Sequence, residues 1–302
     1  MIDRYRDQVR LLLKVLPVVA EVEEFALKGG TAINFFWRNL PRLSVDIDLT
    51  YIPIKNREES LNEIKKGIKH IGQTVSSRIG DANVTTQKSG GILSKLLIRS
   101  DGVQVKLEVN TVLRGSLFGS VEKELVTSVQ DEFELFAAVP TLSMEDLYGG
   151  KLCAALDRQH PRDLFDVKLL LENEGLTDKI IVTFIGYLIS HSRPINELLN
   201  PSQQDLEGIY ENEFQGMTNE AVSLEDLTKV QKKLPKLLLD GLSDEQKEFL
   251  LSFQQADPKW GLMPVDHLKE LPGVQWKLIN IRKMDDKKHE ETREKLEKVL
   301  GR

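Results

Sequence analysis

The apolar positions change spacing along the chain, and the changes mark its elements. Val9, Leu12, Leu13, Leu16 and Val19 recur at helical spacing and predict an amphipathic helix over 5–24. Phe25-Ala26-Leu27 reads as a short strand broken by Gly29-Gly30, and the apolar period over 32–40 predicts a helix that Pro41 ends. The run that follows alternates: Val45, Ile47 and Leu49 face one way, Asp46 and Asp48 the other. Leu61, Ile64, Ile68 and Ile71 form one face of a helix over 57–78. From 83 to 110 the period is two, with Gly90-Gly91 and Asp101-Gly102 separating three strands in hairpin style. The stretch 133–139 (FELFAAV) reads as a further strand. Ser143 and Asp146 form an N-terminal capping pattern for a helix through KLCAALDRQ, and Pro161 opens another that Gly175 closes. Helical patterns recur at 178–190, 224–239 and 244–255, among loops holding Pro194, Pro201, Pro235 and Pro258, and the charged tail reads as a solvated terminal helix. The expectation is an α+β chain: strands and helices over 1–142, then an α-helical domain over 143–302.

Composition changes this picture little. The 302 residues carry 40% hydrophobic and 29% charged side chains, an ordinary globular balance. One cysteine, Cys153, rules out an internal disulfide and suits a reducing cytoplasm. The N-terminus lacks a secretory pattern, and the most apolar run, 180–189, is too short to span a bilayer, so a cytoplasmic protein with no membrane role is expected. The formal net charge of −6 means that a polyanionic partner would need a local basic patch. The five histidines show no metal-ligand spacing. Trp260 and Trp276 could stack a base, although packing is the plainer expectation.

The chemistry concentrates in residues 27–51. Asp46 and Asp48 project from one face of a strand, where two acids repel unless a cation lies between them. Oxygen ligands on a rigid strand suit Mg²⁺, which takes one or two carboxylates together with substrate phosphates. Gly29 and Gly30 leave backbone N–H groups open before a helix that Thr31 can cap, and an anion is favoured there. A double glycine alone is usually a turn, and a lone Asp-x-Asp usually a solvated strand edge. In the order strand, Gly-Gly-Thr, helix, strand, Asp-x-Asp, they point to nucleotidyl transfer.

This stretch resembles the nucleotidyltransferase superfamily to which DNA polymerase β belongs. More narrowly, Arg42-Leu-Ser-Val-Asp-Ile-Asp48 resembles the AbiEii/MenT family of abortive-infection and toxin nucleotidyltransferases, and the interval from Thr31 to Asp46 is typical of that branch. A second match is Lys151 on one helix with Arg162-Asp163-x-x-Asp166 on the next. The resemblance covers roughly 20–175. It implies a polymerase β-like core, a mixed sheet flanked by helices, and an NTP substrate. It implies Mg²⁺, with Mn²⁺ as the alternative, on Asp46, Asp48 and a third carboxylate, for which Glu108 is the best candidate. By the same resemblance Arg42 and Ser44 shape the triphosphate pocket with Gly29, Gly30 and Thr31, Lys151 contacts the triphosphate, and Asp166 or Asp163 completes the site. The nucleotide is then expected at the domain boundary. The implied acceptor is an RNA or tRNA 3′ end, and the implied biology is a toxin with a cognate antitoxin.

Two structural readings stand beside these. Glu108 sits on the polar side of an alternating strand that could simply face water. Arg158, Arg162, Asp163 and Asp166 could form a salt-bridge network between helices. The alternatives in function are NMP transfer to protein or a small molecule, and a catalytically silent nucleotide-binding regulatory module.

Overall fold

The computed structural model describes residues 3–302. By packing the chain divides into two compact units: residues 1–147 with 214–221, and residues 148–213 with 222–302. The sequence pattern sets the division at 142/143.

The first unit is built on a seven-stranded mixed sheet: β1 (Phe25–Lys28), β2 (Asp46–Tyr51), β3 (Asn83–Ser89), β4 (Ile92–Ser100), β5 (Val103–Asn110), β6 (Ser120–Glu124) and β7 (Ala138–Leu142). Their spatial order is β3-β4-β5-β2-β1-β7-β6. β2 runs parallel to β5 and antiparallel to β1, and β1 runs parallel to β7. The alternation read from the sequence is borne out within the strands: Ile47, Leu49, Val105, Leu107 and Val109 are buried, while Asp46, Asp48, Lys106 and Glu108 lie on the half-exposed face. Val45, just before β2, and Val103, at the start of β5, are only half-buried. Helix α1 (Asp3–Val19) contacts β5 and β7 through its Val/Leu stripe. It stops five residues short of the expected end, because residues 20–22 bond back as turns before β1.

The helix expected over 32–40 begins and ends three residues earlier. α2 (Gly29–Ala32) follows β1 directly and continues as a π-helical turn over Ile33–Trp37. Gly29, at φ +71, makes this reversal, a backbone conformation that favours glycine. Thr31 does not cap the helix, because its hydroxyl is turned to the strand bearing the acids. Next come α3 (Arg57–Arg78), capped by Asn56 and packed on β3 and β4, and α4 (Thr127–Phe133). The strand expected over 133–139 is a correction: Phe133 closes α4, Glu134 turns left-handed at φ +53, and β7 starts only at Ala138.

Segment 214–221 completes this unit. Leu43 N–H donates to Met217 O (2.8 Å), and Asn219 N–H to Pro41 O (3.0 Å). These bonds fix the loop between the π-helical turn and β2, and the sequence pattern carries no sign of them.

α5 (Met144–Asp157) starts with Ser143 Oγ accepting from Asp146 N–H at 3.1 Å, as its capping pattern predicts. The second unit is otherwise helical: α6 (Pro161–Asn173), α7 (Asp178–Leu188), α8 (Ile195–Leu199), α9 (Glu207–Glu213), α10 (Leu224–Gly241), α11 (Asp244–Gln254), α12 (Pro272–Arg282) and α13 (Asp286–Leu300). α10 runs through Pro235. Trp260 packs against Phe249 and Phe253, at ring centroids of 5.7 and 6.3 Å, while Trp276 is exposed. No helix among the described residues is long and apolar enough to cross a membrane.

Candidate active site

Strand register assembles the polar face of the first unit. Residues paired across neighbouring strands share a face with Cβ atoms roughly 5 Å apart. Lys28 pairs with Asp48, Asp48 with Glu108, and Glu108 with Lys95, so four charged side chains form one row across β1, β2, β5 and β4. In the next row Asp46 pairs with Lys106. Glu108 Oε1 lies 2.9 Å from Lys95 Nζ, and its Oε2 3.6 Å from Lys106 Nζ. Three acids are thus interleaved with three lysines, which offsets the repulsion between the carboxylates.

The double glycine lies against this row. A methyl group at Gly29 would stand 2.9 Å from Asp48 Oδ2, and one at Gly30 2.5 Å from Arg42 Nη2 and 3.0 Å from Ser44 Oγ. Both glycines therefore let the Asp48, Arg42 and Ser44 side chains approach the backbone more closely than any other residue would. Thr31 Oγ1 donates to Asp46 O (2.6 Å) and lies 2.9 Å from Ser44 Oγ, tying the helix start to the acid strand. Asn34 Nδ2 donates to Gly30 O (2.8 Å), and buried Arg42 donates through Nη1 to Leu43 O (2.8 Å). Gly29, Gly30, Thr31, Arg42, Ser44, Asp46, Asp48 and Glu108 are so brought together within one unit.

Lys28 belongs to this group and was missed. Burial pulls its pKa down, while the carboxylates of Asp48 and Glu108 push it back up. Its place immediately before Gly29-Gly30 was the only available signal.

The second unit gathers the other predicted residues. Lys151 on α5 lies 2.8 Å from Asp163 Oδ1 and 3.0 Å from Asp166 Oδ2, both on α6, and all three are buried. Arg158 reaches the same Asp163 through Nε at 2.5 Å and Nη2 at 3.0 Å. Burial alone would raise the Asp163 pKa, but Lys151 and Arg158 together outweigh it and hold the carboxyl well below the usual range. Arg162 stands instead beside Glu213, at 4.0 Å. The cluster is a buried ion-pair network around one lysine, so removing a member would strand a charge.

No group of three His, Cys, Asp or Glu side chains among the described residues converges as a ready metal cage. Asp46 and Asp48 fit a looser requirement: two half-exposed oxygen ligands on one strand face, beside a glycine turn that admits a carboxylate.

A mixed sheet that sets an acid pair against a double glycine before a helix defines a nucleotidyltransferase-type core. The family model of the nucleotidyl transferase AbiEii toxin of type IV toxin–antitoxin systems matches residues 10–256, and the chain belongs to that family. It is a nucleotidyltransferase of the toxin–antitoxin class. Among solved structures it is similar to MenT4, the nucleotidyltransferase toxin Rv2826c from Mycobacterium tuberculosis H37Rv, with a TM-score of 0.60 and 13% identity over 90% of this chain and 92% of that one. At that identity the likeness is one of fold. No curated protein matches the sequence.

Proposed function

We propose that this enzyme transfers a nucleoside monophosphate from an NTP to the 3′ hydroxyl of an RNA, with tRNA as the leading acceptor, and that it acts as a toxin held in check by a cognate antitoxin. One observation carries the reading: the Asp48 carboxylate lies against Gly29 while Arg42 and Ser44 crowd Gly30, so anion seat and acid pair share one surface.

In this reading the triphosphate rests on the Gly29–Gly30 backbone, and the Thr31 and Ser44 hydroxyls and the Arg42 guanidinium orient its oxygens. Lys28 lies beside the acids, whose carboxylates favour its charged form against burial, and is placed to balance the charge that develops on the leaving pyrophosphate. Asp46 and Asp48, with Glu108 once it exchanges its lysine partners, would hold Mg²⁺, which supplies charge neutralisation at the α-phosphate and a lower pKa for the attacking hydroxyl. Lys151 is proposed as a triphosphate contact, on the family pattern it shares with Asp163 and Asp166. Lys151→Gln should raise the KM for NTP, and an unchanged KM would leave the lysine a structural role alone.

The acceptor is tested by incubating the protein with each α-labelled NTP, Mg²⁺ and total cellular RNA, and separately without RNA. Label in RNA supports the proposal. Label in the protein itself would favour transfer onto protein, and no label in any fraction would favour a silent regulatory module.

A further inference from the structure

The loop between β5 and β6 carries a buried arginine that none of this chemistry uses. Arg114 is 7% exposed, and its Nε and Nη1 are shut off from solvent with no hydrogen-bond partner among the described residues. A guanidinium presents five donors in a fixed fork, and leaving such donors unmatched inside a protein is costly. The charged groups acting on it make matters worse rather than better. Burial pulls the Arg114 pKa down, nearby Arg57 pulls it further, and only Tyr51 opposes.

The acids on the neighbouring helix do not relieve it. Glu63 accepts from the Tyr51 hydroxyl and lies 2.7 Å from Lys55 Nζ, while Glu59 is held by Lys55 at 3.1 Å and Asn56 at 3.2 Å. Arg57 is the first residue of the 22-residue helix α3, whose positive end adds to the local field. Nor is the loop slack enough to carry Arg114 out to water. Asn110 Oδ1 accepts from Val112 and Leu113 N–H at 2.9 and 2.8 Å, Gly115 N–H donates to Tyr51 O at 2.8 Å, and the Asp146 carboxylate accepts from Leu117 and Phe118 N–H at 2.9 and 2.7 Å. A cation held rigidly without a counter-charge is a site prepared for an anion.

We propose that Arg114, with Arg57 adding positive charge, forms a binding site for a phosphate group in the first unit, separate from the glycine turn. Tyr51 lies three residues beyond Asp48 on β2, about 10 Å along the strand, so one phosphate does not serve both places. The ligand chemistry is a phosphate oxyanion bonded by the unmatched Arg114 guanidinium, and it has two sources: a free or terminal phosphate, or the phosphodiester backbone of a polynucleotide.

The probes are inorganic phosphate and a short single-stranded RNA lacking terminal phosphates, titrated calorimetrically at constant ionic strength without NTP or divalent ions. Those conditions keep the result independent of nucleotidyl transfer. Wild type is expected to bind at least one probe, with Arg114→Leu weakening it at least about tenfold, exposed Arg57→Gln about threefold, and Arg114→Lys retaining part of the affinity. Binding of the RNA identifies the backbone as the source, and binding of phosphate alone identifies a free or terminal group. The proposal is overturned if wild type binds neither probe, or if Arg114→Leu binds as wild type does. Should Arg114→Leu fail to fold, Arg57→Gln decides: unchanged affinity for both probes overturns the site.

Discussion

Gly30→Ala probes the packing of the glycine turn against the residues proposed to hold triphosphate. The new methyl would stand 2.5 Å from Arg42 Nη2 and 3.0 Å from Ser44 Oγ, where ordinary contacts begin at 3.4 Å. Arg42 would have to retreat by roughly 0.9 Å, the difference between those distances. It has little room to do so. Its side chain is buried and bonded to Leu43 O, and Ser44 is held by Thr31. Overpacking of this kind costs about 1–3 kcal/mol, and the better helix propensity of alanine returns up to about 1 kcal/mol. The expected net loss is about 1–2 kcal/mol, or a fall of roughly 2–8 °C in Tm for a unit of this size. Urea unfolding followed by circular dichroism measures it, with Gly80→Ala as the control, since a methyl there meets nothing within 4 Å. The control should stay within about 0.5 kcal/mol of wild type. The displaced guanidinium should also raise the KM for NTP. A Gly30→Ala protein as stable as wild type, with unchanged KM, would refute the close packing.

Three further outcomes are expected. Lys28→Met should keep its fold and lose roughly 10²-fold in kcat, the scale of one charge-stabilising group removed, and unaltered single-turnover rates would contradict its role. Asp163→Asn should cost about 3–5 kcal/mol at pH 7. Because the folded carboxyl titrates below its ordinary 3.8, that stabilisation is complete above this value and wanes as the solution is acidified, so the gap to wild type should narrow by about 1.4 kcal/mol per pH unit below it. Unfolding midpoints at pH 7 and pH 3 check this, and a constant gap would be evidence against the buried pair. Lys277 donates to His191 O and Arg193 O, and burial lowers its pKa to about 8 despite Glu197. Folded, it binds fewer protons than unfolded, so it should make stability rise from about pH 8 toward 10.5, a slope that Lys277→Met should lack.

What could be read in the sequence follows the range of the interactions. The strand bearing Asp46 and Asp48, the helix over 57–78 and the three-stranded run to residue 110 were legible because each has a local period that a buried face imposes. The pairing of Asp48 with Glu108 was within reach of the family resemblance but not of spacing, since 60 residues separate them and only register joins them. Lys28 was invisible for the same reason: its meaning comes from the row across the sheet. The segment 214–221 lies far along the chain from the loop it secures, and backbone hydrogen bonds leave no signature in side-chain pattern. The stretch 133–139 misled because Phe133 and Val139 are both buried, yet one ends a helix and the other belongs to a strand, with a left-handed residue between them. The burial of Arg114 leaves no mark in the sequence, because burial of a loop side chain depends on tertiary closure alone.

The central claim is that the Asp46–Asp48 face beside the glycine turn performs the transfer. Its most direct test measures label moved from α-labelled NTP into RNA by wild type and by Asp46→Asn, with circular dichroism confirming the variant's fold. The account predicts clear transfer by wild type and a loss of at least about 10²-fold in the variant. An Asp46→Asn protein that labels RNA as fast as wild type would contradict it.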